Sequence, residues 1–119
     1  RLAVCRALGL EVPSLVASLQ KTYGLDQTDL YDLLQHNTAY RGLQSPMNLE
    51  HRFIVEDLLC GIVPLASIGA ELGVETPIMN AFIEIASVVC GRDFRAQGRT
   101  AEKLGLSGKT PAQIRALIC

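Results

Sequence analysis

The sequence is poor in the residues that most recognition chemistry needs. It has no tryptophan, three phenylalanines, three tyrosines and two histidines, and its formal net charge is -1. Few aromatics and no excess of positive charge leave neither stacking platforms nor a phosphate-neutralising surface, so nucleic-acid binding is not expected. The four cysteines, Cys5, Cys60, Cys90 and Cys119, include no CxxC pair. With only His36 and His51 beside them, no metal-ligand set forms at the usual spacing, so no metal is expected. Buried free thiols in a reducing cytosol are the expected state, which places the protein in the cytoplasm. Neither GxGxxG nor GxxxxGK[ST] occurs, so the chain carries no nucleotide fingerprint of its own. No signal peptide is recognisable and no apolar run reaches the length of a membrane span, so no membrane role is expected.

What remains is apolar and helical. Hydrophobic residues make up 49% of the 119 residues, and mean hydropathy is +0.25, enough for a real core in one domain. The opening on Arg1-Leu2-Ala3-Val4 and the close on Ala116-Leu117-Ile118-Cys119 read as the ends of a piece of a longer protein, with apolar surface destined for an absent neighbour. β-branched residues fall inside helix-period runs rather than in alternation, so the fold class is all-α, a compact bundle of six to seven helices.

The helices punctuate the chain in order. Leu2 to Leu8 is one, stopped near Gly9. Pro13-Ser14 begins a second, with Leu15, Val16, Leu19 and Tyr23 on one face and Gly24 closing it. Thr28 is placed to cap a third through His36, and residues 37–48 read as a loop. Gly61 and Val63-Pro64 predict a break between helices at about 50–60 and 64–72. Thr76-Pro77 is a cap followed by a first-turn proline, opening a helix to Cys90 whose Asn80, Glu84 and Ser87 form one narrow polar stripe. That stripe is open to three roles: contact with solvent, with a neighbouring polar group, or with a ligand. A short helix is expected from Gly98-Arg99-Thr100 to Leu104, and Thr110 with Gln113 matches a capping box for the last segment.

Chemistry concentrates around Glu50-His51-Arg52, which runs into an apolar segment holding Glu56 and Asp57. A carboxylate dehydrated by such a segment is costly unless paired, and the same environment tunes its proton affinity. Arg52 and Glu56 stand i,i+4 and can pair; Arg52 and Asp57 lie about 140° apart around an ideal helix and cannot. Asp57 is thus left needing an outside partner, either a His or Arg at a site or another helix of the bundle. Gly98-Arg99-Thr100 would present a helix N-terminus to an anion, although an ordinary cap explains Thr100 equally well. The segment from Leu104 to Ile118 superficially resembles a helix-turn-helix recognition helix but offers only Lys109, Gln113 and Arg115, too few for DNA.

Four blocks together resemble the C-terminal helical domain of the octopine/nopaline (opine) dehydrogenase family, which belongs among 6-phosphogluconate-dehydrogenase-like enzymes. They are His51-Arg52-Phe53-x-x-Glu56-Asp57, Gly61-Ile62-Val63-Pro64-Leu65, Leu72-Gly73-Val74-x-Thr76-Pro77, and Gly98-Arg99-Thr100 with Leu104-Gly105-Leu106. The Tyr40-Arg41-Gly42 to Pro46 loop fits too, and the likeness spans roughly residues 10–106. It implies a helical substrate-binding domain over residues 1–119, joined in the whole protein to an N-terminal Rossmann domain that binds NAD or NADP. The implied reaction is reductive condensation of an amino acid with a 2-oxo acid such as pyruvate.

By the same resemblance Arg52 grips a substrate carboxylate, and Asp57 orients a catalytic His that no residue of this chain matches. This chain alone is therefore not expected to be active. Where family members often have an aromatic or valine-proline pair after the Asp, this chain has Leu58-Leu59, so the preferred amino acid is left open. The alternative keeps the helices but gives them a different role, as a dimerisation or interaction module of a related oxidoreductase. Either reading leaves room for a homodimer.

Overall fold

The computed structural model describes residues 1–118; Cys119, expected as a free thiol, lies outside the described residues. Among the described residues there is no strand, and the all-α class holds. The helices are α1 (Leu2–Ala7), α2 (Leu15–Tyr23), α3 (Leu30–His36), α4 (Arg52–Asp57), α5 (Val63–Glu71), α6 (Pro77–Cys90), α7 (Phe94–Gln97) and α8 (Pro111–Ile118). A 3-10 turn occupies Thr38–Tyr40, and a π-helical turn, Leu58–Ile62, joins α4 to α5.

The chain forms two units. The smaller runs from Glu11 to Ser45 and takes in Leu2 as well. In it α2 packs on α3, each burying one leucine, Leu19 and Leu33. Ser14 caps α2 by accepting from the Ala17 N–H, so Pro13 lies just before the helix rather than in its first turn. Asp29, not Thr28, caps α3, its carboxylate accepting from the Asp32 N–H at 3.1 Å. The Tyr23 and Tyr40 rings meet edge to face at 5.8 Å.

The larger unit comprises Arg1, Ala3–Leu10 and Pro46–Cys119. Its first core gathers Leu58, Val63, Ala66, Ile83 and Phe94 from the π turn, α5, α6 and α7. Phe94 is fully buried, which contributes about 2–3 kcal/mol by removal of apolar surface from water. A second core joins Val4 of α1 and Leu8, just past its end, to Ile114 of α8, with Leu65 and Ile68 of α5 and the following Leu72 against them. At α8 the expected capping box is present: Thr110 Oγ1 accepts from the Gln113 N–H, and Gln113 Oε1 accepts from the Thr110 N–H.

Two expectations are corrected here. Residues 101–105 form turns, not a helix; the helix lies earlier, at α7, where Asp93 accepts from the Ala96 N–H. Lys103 Nζ then donates to the Ala96 and Gly98 carbonyls, satisfying groups that the end of α7 leaves open. The break expected at Gly61 and Pro64 is absent too. Arg52 to Glu71 is one helical run of 20 residues with mean hydropathy 1.8, long and apolar enough to cross a membrane by length and composition alone. The π turn absorbs the proline, so the two halves stay joined. Leu58, Val63, Pro64, Ala66 and Gly69 along it are buried within the chain's own packing.

At the end of α5, Glu71 ties the helix to the turn before α8. It accepts from the Ser107 hydroxyl at 2.9 Å and the Gly108 N–H at 3.0 Å. The Gly108 N–H, then the Ser107 hydroxyl, hold its carboxyl below the ordinary value of 4.5. A depressed folded-state value stabilises the fold above the unfolded value and loses that effect as pH falls through the folded one. The stability difference between the wild type and Glu71→Gln should therefore be full above pH 4.5 and vanish in stronger acid, as read by thermal unfolding across pH.

Candidate functional site

The segment that carries Arg52 and Asp57 starts at a cap made by a histidine. His51 Nδ1 accepts from the Phe53 N–H at 3.2 Å, which occupies the ring in the local helix start. His36 is likewise local: its Nδ1 lies 2.8 Å from the Asp32 carbonyl. Both rings are thus engaged with the backbone of their own helices.

Arg52 and Asp57 are the first and last residues of α4, and both are exposed. The expected Arg52–Glu56 pair does not form. The Arg52 guanidinium lies over the Phe53 ring instead, 5.3 Å from its centroid. Stacking leaves the guanidinium edge, with its forked N–H donors, open to solvent and to an incoming carboxylate. Sequence reading missed Phe53 as the platform; its position next to Arg52 was the available signal.

Asp57 also departs from the expectation of a dehydrated carboxylate. It is solvent-exposed, and among the described residues its side chain has no ion pair or hydrogen bond. The apolar face of the segment points away from it, with Leu58 and Val63 taking the core positions. Asp57 is thus a presented acceptor rather than a buried one.

The polar stripe of α6 finds its partners in α7. Arg95 donates to Glu84 Oε1 at 2.7 Å and to Asn80 Oδ1 at 3.2 Å, while Asn80 Nδ2 donates to Thr76 Oγ1. Ser87 Oγ accepts from the Phe94 N–H at 3.2 Å and donates to the Ile83 carbonyl. Of the three roles open to it, the stripe fills the neighbouring-group one: it seats α7, and with it Phe94. Thr76 stands where a cap was expected, but its hydroxyl serves Asn80 and caps no backbone N–H. Nor does the Gly98-Arg99-Thr100 segment offer an anion site, since no helix follows it; Thr100 Oγ1 accepts from the Lys103 N–H.

The opposite side of α6 has no partner among the described residues. Ile78, Phe82, Ile85, Val88 and Val89 are all exposed, Val88 at 82%. They occupy an arc of roughly 120° on the helix.

No metal cluster of three or more His, Cys, Asp or Glu occurs among the described residues. Cys5, Cys60 and Cys90 are free thiols; Cys60 is exposed and the other two half-buried, so none is the sealed core thiol expected. A dinucleotide needs a glycine-rich strand-to-helix turn, and among the described residues there is neither a strand nor such a loop. The residues present do not fit the cofactor.

Residues 1–90 match the family described as NAD/NADP octopine/nopaline dehydrogenase, alpha-helical domain. The opine dehydrogenase of Arthrobacter sp. (strain 1C) is 42% identical over 118 residues, covering 99% of this chain and 33% of that protein. Protein ocs of Agrobacterium tumefaciens (strain Ach5) is 31% identical over 98% of this chain and 33% of its own length. D-nopaline dehydrogenase of Agrobacterium vitis is 31% identical over 88% of this chain and 25% of its own length. The chain spans about a third or less of these relatives. It belongs to the octopine/nopaline dehydrogenase family, as its alpha-helical domain.

Proposed function

We propose that this chain is the substrate-side half of an opine dehydrogenase, which in the whole protein joins an amino acid to a 2-oxo acid such as pyruvate by reductive condensation. One observation carries the reading: Arg52 and Asp57 stand exposed at the two ends of α4, with no partner of opposite charge among the described residues. Arg52, propped on Phe53, receives a substrate carboxylate through its forked donors. Asp57 accepts a hydrogen bond from the catalytic His of the remaining protein, fixing its orientation and supporting its protonated form. NAD or NADP is held by a Rossmann domain in that remainder, because this chain has no cradle for it. The amine and the keto carbon condense with loss of water, and reduction of the imine leaves a secondary amine bearing both carboxylates.

In the full-length protein, oxidation of NADH or NADPH should require the amino acid and the 2-oxo acid together. Oxidation that proceeds equally well with the amino acid omitted would mean a simple 2-oxo acid reductase and would overturn the reading.

A second reading, that the domain builds a homodimer, is favoured by the outer face of α6. Ile78, Phe82, Ile85 and Val89 recur at spacings of four, three and four, the seam that fits another helix, and no charged residue interrupts it. An uncharged seam is compatible with a two-fold copy of itself. The five exposed side chains offer on the order of 600 Å² per protomer, close to the 800 Å² of a standard interface. Ile85→Glu in the full-length protein should convert a dimer to monomers in analytical ultracentrifugation. An unchanged sedimentation coefficient would remove this face from the interface.

A further inference from the structure

The π turn between α4 and α5 has a specific cause and a specific lock. Its defining bond runs from the Val63 N–H to the Leu58 carbonyl, five residues back. The next bond of that kind would join residue 64 to Leu59, but Pro64 has no N–H to give. The Leu59 carbonyl therefore leaves the helix unpaired and is taken from outside by the Arg99 N–H, at 2.9 Å. A regular α turn would also press the Pro64 ring on the Cys60 carbonyl, four residues back, and the widened turn relieves that clash.

Gly98 lets Arg99 come so close. A Cβ at Gly98 would lie 2.5 Å from Val63 Cγ1, 2.7 Å from Val63 Cβ and 2.9 Å from the Phe94 carbonyl. Its φ of -67° and ψ of 170° suit any residue, so glycine is required here for space, not for conformation. Val63 is 1% exposed and has no room to withdraw.

A π turn holds one residue more than an α turn, which rotates α4 by roughly 100° about the helix axis relative to α5. Asp57 immediately precedes this turn, and Arg52 is five residues further out. We propose that Pro64 and Gly98 are positioning residues: together they fix the π turn, and the π turn sets the direction in which α4 presents Asp57 and Arg52. The inference rests on the roles proposed above for those two side chains. Neither positioning residue touches substrate; each acts through the helix.

The test uses the full-length enzyme and three variants, Pro64→Ala, Gly98→Ala and Asp57→Asn. Pro64→Ala returns an N–H to residue 64 and introduces a strong helix former, so the turn is free to close to α. Its kcat should fall at least about a hundredfold, the loss expected for a misplacement of only an ångström, and a turned α4 moves Asp57 further than that. Its melting temperature should fall too, because Pro64 is buried and Ile54 and Val55 of α4 pack on the first core, so the pH profile carries the test. The basic limb of its pH–kcat profile should move in the same direction as that of Asp57→Asn, a change that a purely structural role would not produce. Gly98→Ala should lower kcat in the same way and lower stability as well; should it fail to fold, Pro64→Ala still decides. If Asp57→Asn is impaired while Pro64→Ala keeps both wild-type kcat and the wild-type pH limb, the positioning role is overturned and the site reading stands. If Asp57→Asn itself has wild-type turnover, the site reading falls, and the positioning role falls with it.

Discussion

Replacing Asp57 by asparagine in the full-length protein is expected to lower turnover about 10²- to 10⁴-fold, the range that a positioned general acid–base contributes. The size follows from what asparagine keeps and what it loses. It is isosteric and still accepts a hydrogen bond, but it carries no charge to support an imidazolium. It can also offer its NH₂ group, allowing the wrong ring orientation. Because Asp57 is exposed and has no partner within its own unit, the substitution should change stability by no more than about 0.5 kcal/mol. Cofactor affinity should also be untouched, since nothing in this chain cradles a dinucleotide. Loss of turnover with intact folding and intact NADH or NADPH binding is the expected combination. Imine reduction at the wild-type rate would remove Asp57 from the mechanism.

Arg52→Ala should act on a different kinetic constant. A charge-assisted, forked hydrogen bond to a carboxylate contributes about 1.5–3 kcal/mol, so the apparent KM for one carboxylate substrate should rise about 10- to 150-fold. kcat should change far less, because the clamp holds the substrate in the ground state and the transition state alike. Arg52→Lys keeps the charge but loses the fork, and its KM should fall between the two. An unchanged KM for both substrates in Arg52→Ala would count against the clamp. The Phe53 ring gives a further check: with its face no longer under a cation, Phe53→Leu should loosen the Arg52 side chain and raise the same KM.

How far these sites were legible in the sequence depends on the scale of the signal. Glycine stops are legible at Gly24, Gly73 and Gly91, each of which takes a left-handed conformation at a helix end. The capping box at Thr110 and the start of α6 at Pro77 are equally readable, because both signals are local. The α4–α5 junction is not. Pro64 reads as a helix boundary in any single sequence, and its accommodation depends on an N–H supplied by Arg99, far along the chain. α7 escapes for the opposite reason: four residues are too few to show a period. Asp57 stands out in the sequence for burial among apolar neighbours, and it proves exposed. The residue survives as a candidate on other grounds, its lack of a side-chain partner among the described residues and the family that the chain belongs to. Glu56 loses its assigned pairing, since Arg52 stacks on Phe53.

In the proposed role, Asp57 completes a catalytic histidine located in the rest of the protein. The pH dependence of kcat, compared between the wild type and Asp57→Asn, tests it most directly. With the carboxylate gone the imidazolium loses its support, so the limb on which turnover falls with rising pH should move to lower pH by about one unit or more. A limb that superimposes on that of the wild type would contradict the claim, whatever the change in absolute rate.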